Sequence, residues 1–231
     1  MQGFQTWVQQ LDFTQLWEML IVVAASLLCI TFHETCHGLA AYWMGDPTAK
    51  NQGRLSLNPL RHIDIMGLVM MAVCHFGWAK PVPVDMRNFR RPKAGMALTA
   101  LAGPVSNVLL AYAAVLLASV SAAFYILSGS KALYYLWEFF YYLEIMSAGL
   151  AVFNLFPIPP LDGSKVLFAV LPDAWYEKLM RYERVGMLLL AVLLLTGVLD
   201  TPLTFLRSGL TDALEYIGVW PAELILNAFG A

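Results

Sequence analysis

The chain reads as an all-α polytopic membrane protein: about four transmembrane helices, a re-entrant or membrane-dipping hairpin or short sheet, and interfacial helices at both ends. Three observations predict this. Of the 231 residues, 59% are hydrophobic and only 13% are charged, whereas a water-soluble globule carries about 25% charged residues. Long stretches are almost free of charge: Met19 to Met44 holds only Glu34, and nothing between Lys93 and Lys131 is charged. The cations are also segregated, with 12 of the 14 Lys and Arg residues in 45–93 and 163–184. By the positive-inside rule those two stretches are cytoplasmic.

Each element follows from this frame. Residues 1–18 place Phe4, Trp7, Val8 and Leu11 at helical spacing among polar residues, an interfacial helix rather than a span. Met19 to Met44, 26 residues, crosses a ~30 Å hydrocarbon core with some tilt. In the cytoplasmic stretch that follows, Met66 to Trp78 is apolar but only 13 residues long, which suits a re-entrant hairpin or dipping strand. Arg54 to Leu57 and Val82 to Met86 alternate like short strands, with Pro81 and Pro83 placing the second at a sheet edge.

Gly103-Pro104 predicts the start of the second spanning helix, with Asn107 near its cytoplasmic end. The third crossing runs from Ala132 to Phe156 and stops at Pro157, Pro159 and Pro160, leaving 154–163 unwound. Val185 to Leu206 is the fourth, followed by an interfacial tail with Leu210, Leu214 and Ile217 at helical spacing. One domain, 1–231, results: a core over 19–163, then a cytoplasmic loop, last helix and amphipathic tail over 164–231. Both termini face away from the cytoplasm.

The chemistry concentrates at His33-Glu34-Thr35-Cys36-His37, inside the first crossing. Two histidines four apart lie on one helix face and can reach one metal ion, while Glu34 projects beside it as a proton acceptor. Chance yields this pattern roughly 0.002 times in a chain of this composition. The bland reading, three polar residues satisfied by neighbouring helices, carries a penalty of about 2.5–3.5 kcal/mol per ionisable group at membrane depth. A catalytic zinc site takes three protein ligands and leaves a fourth position open to water. Asp162 is the best third ligand, because it ends the third crossing in the same half of the bilayer as the histidines. Asp46 reads instead as a turn residue, Glu138 and Glu144 sit in the opposite half, and His62 and His75 as solitary polar contacts. Asn154 has the reach to serve an oxyanion. Asn107 either orients its neighbours or bonds between helices.

His33-Glu34-x-x-His37-Gly38, Gly103-Pro104-x-x-Asn107 and Asn154 through Pro160-Leu161-Asp162-Gly163, in this order, resemble the three signatures of the site-2 protease family of intramembrane zinc metalloproteases. Gly53 through Pro59 and Gly77 through Val84 are similar to the loop and strand of its small, minimal branch, which has no PDZ or nucleotide-sensing domain. One departure is Ile65, where relatives often carry Pro. The resemblance implies one Zn2+ per chain held by His33, His37 and Asp162, with Glu34 as general base and acid and Asn154 as oxyanion partner. It places Asn58 in a loop near the substrate, and Asn107 is a second substrate-binding candidate.

The expected activity is hydrolysis of a peptide bond in or next to a transmembrane segment of another protein, held extended along the edge at Val82 to Met86. The expected setting is a bacterial-type plasma membrane, with the site open to the cytoplasm and a regulatory membrane partner or a second copy as possible associates. A zinc transporter or sensor using the same ligands is the alternative, and a catalytically dead scaffold a third. A net charge of −2 gives no footprint for nucleic acid. Cys29, Cys36 and Cys74 form no C-x-x-C pair and imply no disulfide framework. Without a basic leader, the first apolar run is expected to be retained rather than cleaved.

Overall fold

Three long helices carry the computed structural model, which describes residues 13–67, 78–172 and 183–230. The stretch before Phe13, most of the apolar segment between Met66 and Trp78, Cys74 and His75 lie outside the described residues. Helix α1 spans Phe13–Met44, α2 Pro92–Ser128 and α3 Lys131–Leu155. Each is long and apolar enough to cross a membrane. A two-residue connection joins α2 to α3, with Gly129 in the left-handed region (φ 65°) closing α2 by its N–H to the Tyr125 carbonyl. The other end is fixed by Phe89, which packs with Ala41 of α1 and Met96 of α2. Thus α1 and α3 end on the same side of the bundle, the side of the cation-rich segments.

Small residues let these helices approach. Along α2, Gly95, Ala100, Gly103, Ala111, Ala114 and Ala118 are buried, and α3 answers with Ser147, Ala148 and Ala151. In lipid such close backbone contact replaces the hydrophobic drive that folds soluble bundles. At the opposite end, Tyr125, Tyr134, Tyr135 and Trp137 form edge and tilted ring contacts, with Trp17 against Tyr135 at 5.1 Å between centroids. This is the composition of an interfacial aromatic belt.

Several expectations require correction. Helix α2 begins at Pro92, not at Gly103-Pro104, and Pro104 lies inside it. Pro92 occupies the first turn, where a missing N–H costs nothing, whereas Pro104 forfeits a single intrahelical bond within a packed bundle. No strand forms among the described residues; the only pairing is an antiparallel bridge between Ile63 and Ala79. The reason is local: Pro81 and Pro83 have no N–H, and those of Val82 and Asp85 go to the carboxylates of Glu34 (2.8 Å) and Asp46 (2.7 Å). With Val82 and Asp85 diverted and Pro83 lacking a donor, the ladder that an edge strand over 82–86 needs is interrupted.

Helix α3 persists through Asn154 to Leu155, so unwinding is confined to 156–161. Helix α4, Asp162–Ala169, then restarts the chain at Asp162 itself. The segment expected as the fourth crossing is not a straight helix. Helix α5, Glu183–Leu195, is followed by a break and then α6, Asp200–Gly218, and α7, Trp220–Phe229, bent 85° from it. Gly197 (φ 70°) occupies that break. The tail is more than an interfacial appendage, since Leu214 packs with Ala111, Val115 and Ala148.

Candidate metal centre

Every side of one turn of α1 is committed. His33 and His37 face α2, where Gly103 leaves room for them: a Cβ there would lie 2.5 Å from the His37 ring and 2.7 Å from that of His33. On another side, the Thr35 hydroxyl donates to the Ser56 carbonyl at 3.0 Å. That carbonyl also lies 2.8 Å from Nε2 of His62. Gly38 admits the Leu55 side chain and Val82 against the helix. Glu34 points to the 80–82 segment and accepts the Val82 N–H. Cys36 is a free thiol outside the cluster.

Asp162 comes to this turn from the restart of the chain after α3. Its Oδ2 is 3.1 Å from His33 Nε2 and 3.0 Å from His37 Nε2, and the two nitrogens are 2.9 Å apart. All three residues are at least nine-tenths buried. Gly163 makes the arrival possible, because a Cβ there would run into the Leu155 carbonyl. Lys165, one turn on, stands 3.6 Å from the other Asp162 oxygen.

The donors fit a zinc ion. A tetrahedral zinc with ligands at about 2.0–2.2 Å sets its donor atoms roughly 3.3 Å apart, close to the triangle observed. His37 Nδ1 is 2.7 Å from the Thr99 carbonyl, so that nitrogen carries the proton and Nε2 presents its lone pair. Among the described residues, these three form the one cluster of potential ligands close enough to share an ion.

The remaining expected site residues stand further out. Asn154 lies in the last turn of α3, where its amide donates to the Leu150 carbonyl at 3.0 Å. Asn107, one turn beyond Gly103 on the same face of α2, is fully buried and neither amide atom has a partner, while its main-chain carbonyl accepts the Ser147 hydroxyl at 2.8 Å. Asn58 is exposed and caps a short 3-10 turn through the Leu60 N–H at 3.0 Å, away from the triangle. Asp46 is a turn residue, as expected, but it also ties the loops together. It accepts from the Thr48 N–H and hydroxyl, the Asp85 N–H and the Asn88 amide. Burial alone would raise its pKa, and these bonds outweigh burial and lower it.

Three contributors escaped the sequence reading: the Gly103 cradle, the Thr99 carbonyl and the Val82 N–H. Two are main-chain groups, which no side-chain pattern announces. Gly103 is visible in the sequence, but Gly103-Pro104 reads there as a helix start.

Fold and site together define a multi-pass membrane metalloprotease. A model of peptidase family M50 matches residues 114–197, covering Asn154 and Asp162 though not the histidine pair. The candidate zinc metalloprotease YwhC of Bacillus subtilis (strain 168) is 36% identical over 178 residues, 77% of this chain and 81% of its own length. The candidate zinc metalloprotease Rip2 of Mycolicibacterium smegmatis (strain ATCC 700084 / mc(2)155) is 30% identical over 185 residues, 78% of this chain and 69% of that protein. The chain belongs to peptidase family M50, the site-2 proteases. No solved structure matches it.

Proposed function

We propose that this protein is an intramembrane zinc endopeptidase that hydrolyses a peptide bond within or beside a transmembrane segment of another membrane protein. The observation that carries the reading is the buried triangle of His33, His37 and Asp162 with Glu34 on the adjoining side of the same helical turn. His33, His37 and Asp162 would hold the ion, which when bound lowers the pKa of a water towards 7 and polarises a carbonyl. Glu34 takes the proton of the attacking water and later delivers it to the leaving amine. The Val82 N–H fixes one Glu34 oxygen, leaving the other to work.

Asn154 turns its amide from its own helix towards the developing oxyanion. The buried amide of Asn107, with nothing to bond, is the group that an unwound substrate backbone would satisfy, and Asn58 meets the substrate outside the triangle. Water and product exchange on the side of the cation-rich loops, which is the cytoplasmic face of the plasma membrane in this reading.

The test is Glu34→Gln against wild type with a co-expressed membrane substrate, found from the fragments that accumulate when the protease is present. The variant retains zinc and cleaves nothing; cleavage by both proteins would refute the mechanism.

A further inference from the structure

A second feature lies on the cation-rich side, outside the metal centre. Arg54, Arg61 and Lys80 line an open cleft of about 550 Å³ together with Asn51, Gln52 and Leu60. Among the described residues, no carboxylate lines it and none of the three cations has an acidic partner within salt-bridge distance. Two of them are already posed by main-chain oxygens. Arg61 donates through one nitrogen to the Gly53 carbonyl, and Arg54 donates to the carbonyls of Lys80 at 2.7 Å and Pro81 at 3.3 Å. Arg54 is 8% exposed, and its Nε is buried without a partner. A buried guanidinium lacking a counter-ion is expensive unless an anion accompanies it.

The surroundings indicate which anion. Leu57, Leu60, Ile65, Met66 and Trp78 are 45–80% exposed in the segments that frame the cleft. Apolar side chains presented outward beside fixed cations match the boundary of a bilayer, where acyl chains and phosphates lie a few ångströms apart. We propose that this cleft binds a phosphate oxyanion, carried by the headgroup of an anionic lipid. Arg61 and Lys80 supply exposed charge, Arg61 already posed by the Gly53 carbonyl, and Arg54 supplies a preset guanidinium. The site adjoins the chemistry, because Arg54 holds the Lys80 and Pro81 carbonyls and the next N–H in the chain, that of Val82, holds Glu34.

The experiment reads binding rather than cleavage, so it stands or falls independently of the protease assignment. The purified full chain in detergent is titrated with dioleoylphosphatidylglycerol, with dioleoylphosphatidylcholine, or with sodium phosphate against sodium chloride at equal ionic strength, and its thermal unfolding midpoint is followed. Phosphatidylglycerol is expected to raise the midpoint by about 5 °C over phosphatidylcholine. That gain disappears in the double variant Arg61→Ala, Lys80→Ala and survives in Lys131→Ala, at the other end of the bundle. Should the double variant not fold, Lys80→Gln alone, which leaves the Arg61 contact to Gly53 in place, is expected to weaken the apparent affinity about tenfold. A gain from inorganic phosphate that Lys80→Gln weakens in the same way would assign the site to free phosphate and still support it. No gain from either phosphate source, or a gain indifferent to these substitutions, would overturn the proposal.

Discussion

At Gly103 a single hydrogen atom decides whether two imidazoles can meet one ion, because a Cβ would stand 2.5 Å from the His37 ring. Gly103→Ala is therefore expected to weaken zinc binding about 10- to 100-fold, the range for groups that orient a ligand, as measured by competition with a chelator. Thr99→Ala is expected to leave it unchanged, since His37 uses the main-chain carbonyl. Val82→Pro removes the N–H that holds Glu34 and should lower turnover by at least about 10² with zinc content intact, the scale of a general base put out of place.

Asp46 gives a prediction in pH. Its folded pKa is lowered, so its contribution to stability is complete above the unfolded value of about 3.9 and is lost as pH falls through the lower folded value. The unfolding midpoint of wild type should drop more steeply than that of Asp46→Asn on acidification below about pH 4. At neutral pH Asp46→Ala should cost about 1–2 kcal/mol, because it removes the acceptor shared by the half-buried Thr48 and Asp85 N–H groups and the exposed Asn88 amide.

Among the elements, those written in apolar length were legible and those written in hydrogen-bond supply were not. The third crossing was placed within one residue at each end, because Lys131 and Pro157 bracket an unbroken apolar run. The alternation over 82–86 suggested a strand, but alternation reports faces and is silent about donors. Two prolines and two carboxylates interrupt the ladder. The 85° bend between α5 and α6 was likewise hidden, since Gly197 sits in a stretch whose hydropathy continues smoothly.

The restart at α4 yields its own prediction. Gly163→Ala forces the first turn of α4 away from the Leu155 carbonyl and carries Asp162 with it. Purified Gly163→Ala should hold less than half the zinc of wild type while retaining wild-type helical content by circular dichroism.

Over the whole molecule, the placing of cations at one end and aromatic rings at the other predicts a fixed orientation. In a chain freed of its native cysteines, Ser128→Cys should react with a membrane-impermeant maleimide on intact cells, and Gln52→Cys only after lysis. The same arrangement explains why His33 and Asp162, 129 residues apart, meet. Two crossings of the same sense bring His33 and the end of α3 to one depth, a parity readable from charge alone. The cradle that completes the site came from a helix that no ligand marks.

The most direct measurement is zinc-edge X-ray absorption of the purified protein, with metal content, for wild type and Asp162→Ala. One zinc per wild-type chain is expected, in a shell of two imidazoles and light oxygen donors, with most of that zinc lost in the variant. Full occupancy with an unaltered shell in Asp162→Ala would contradict that ligand set.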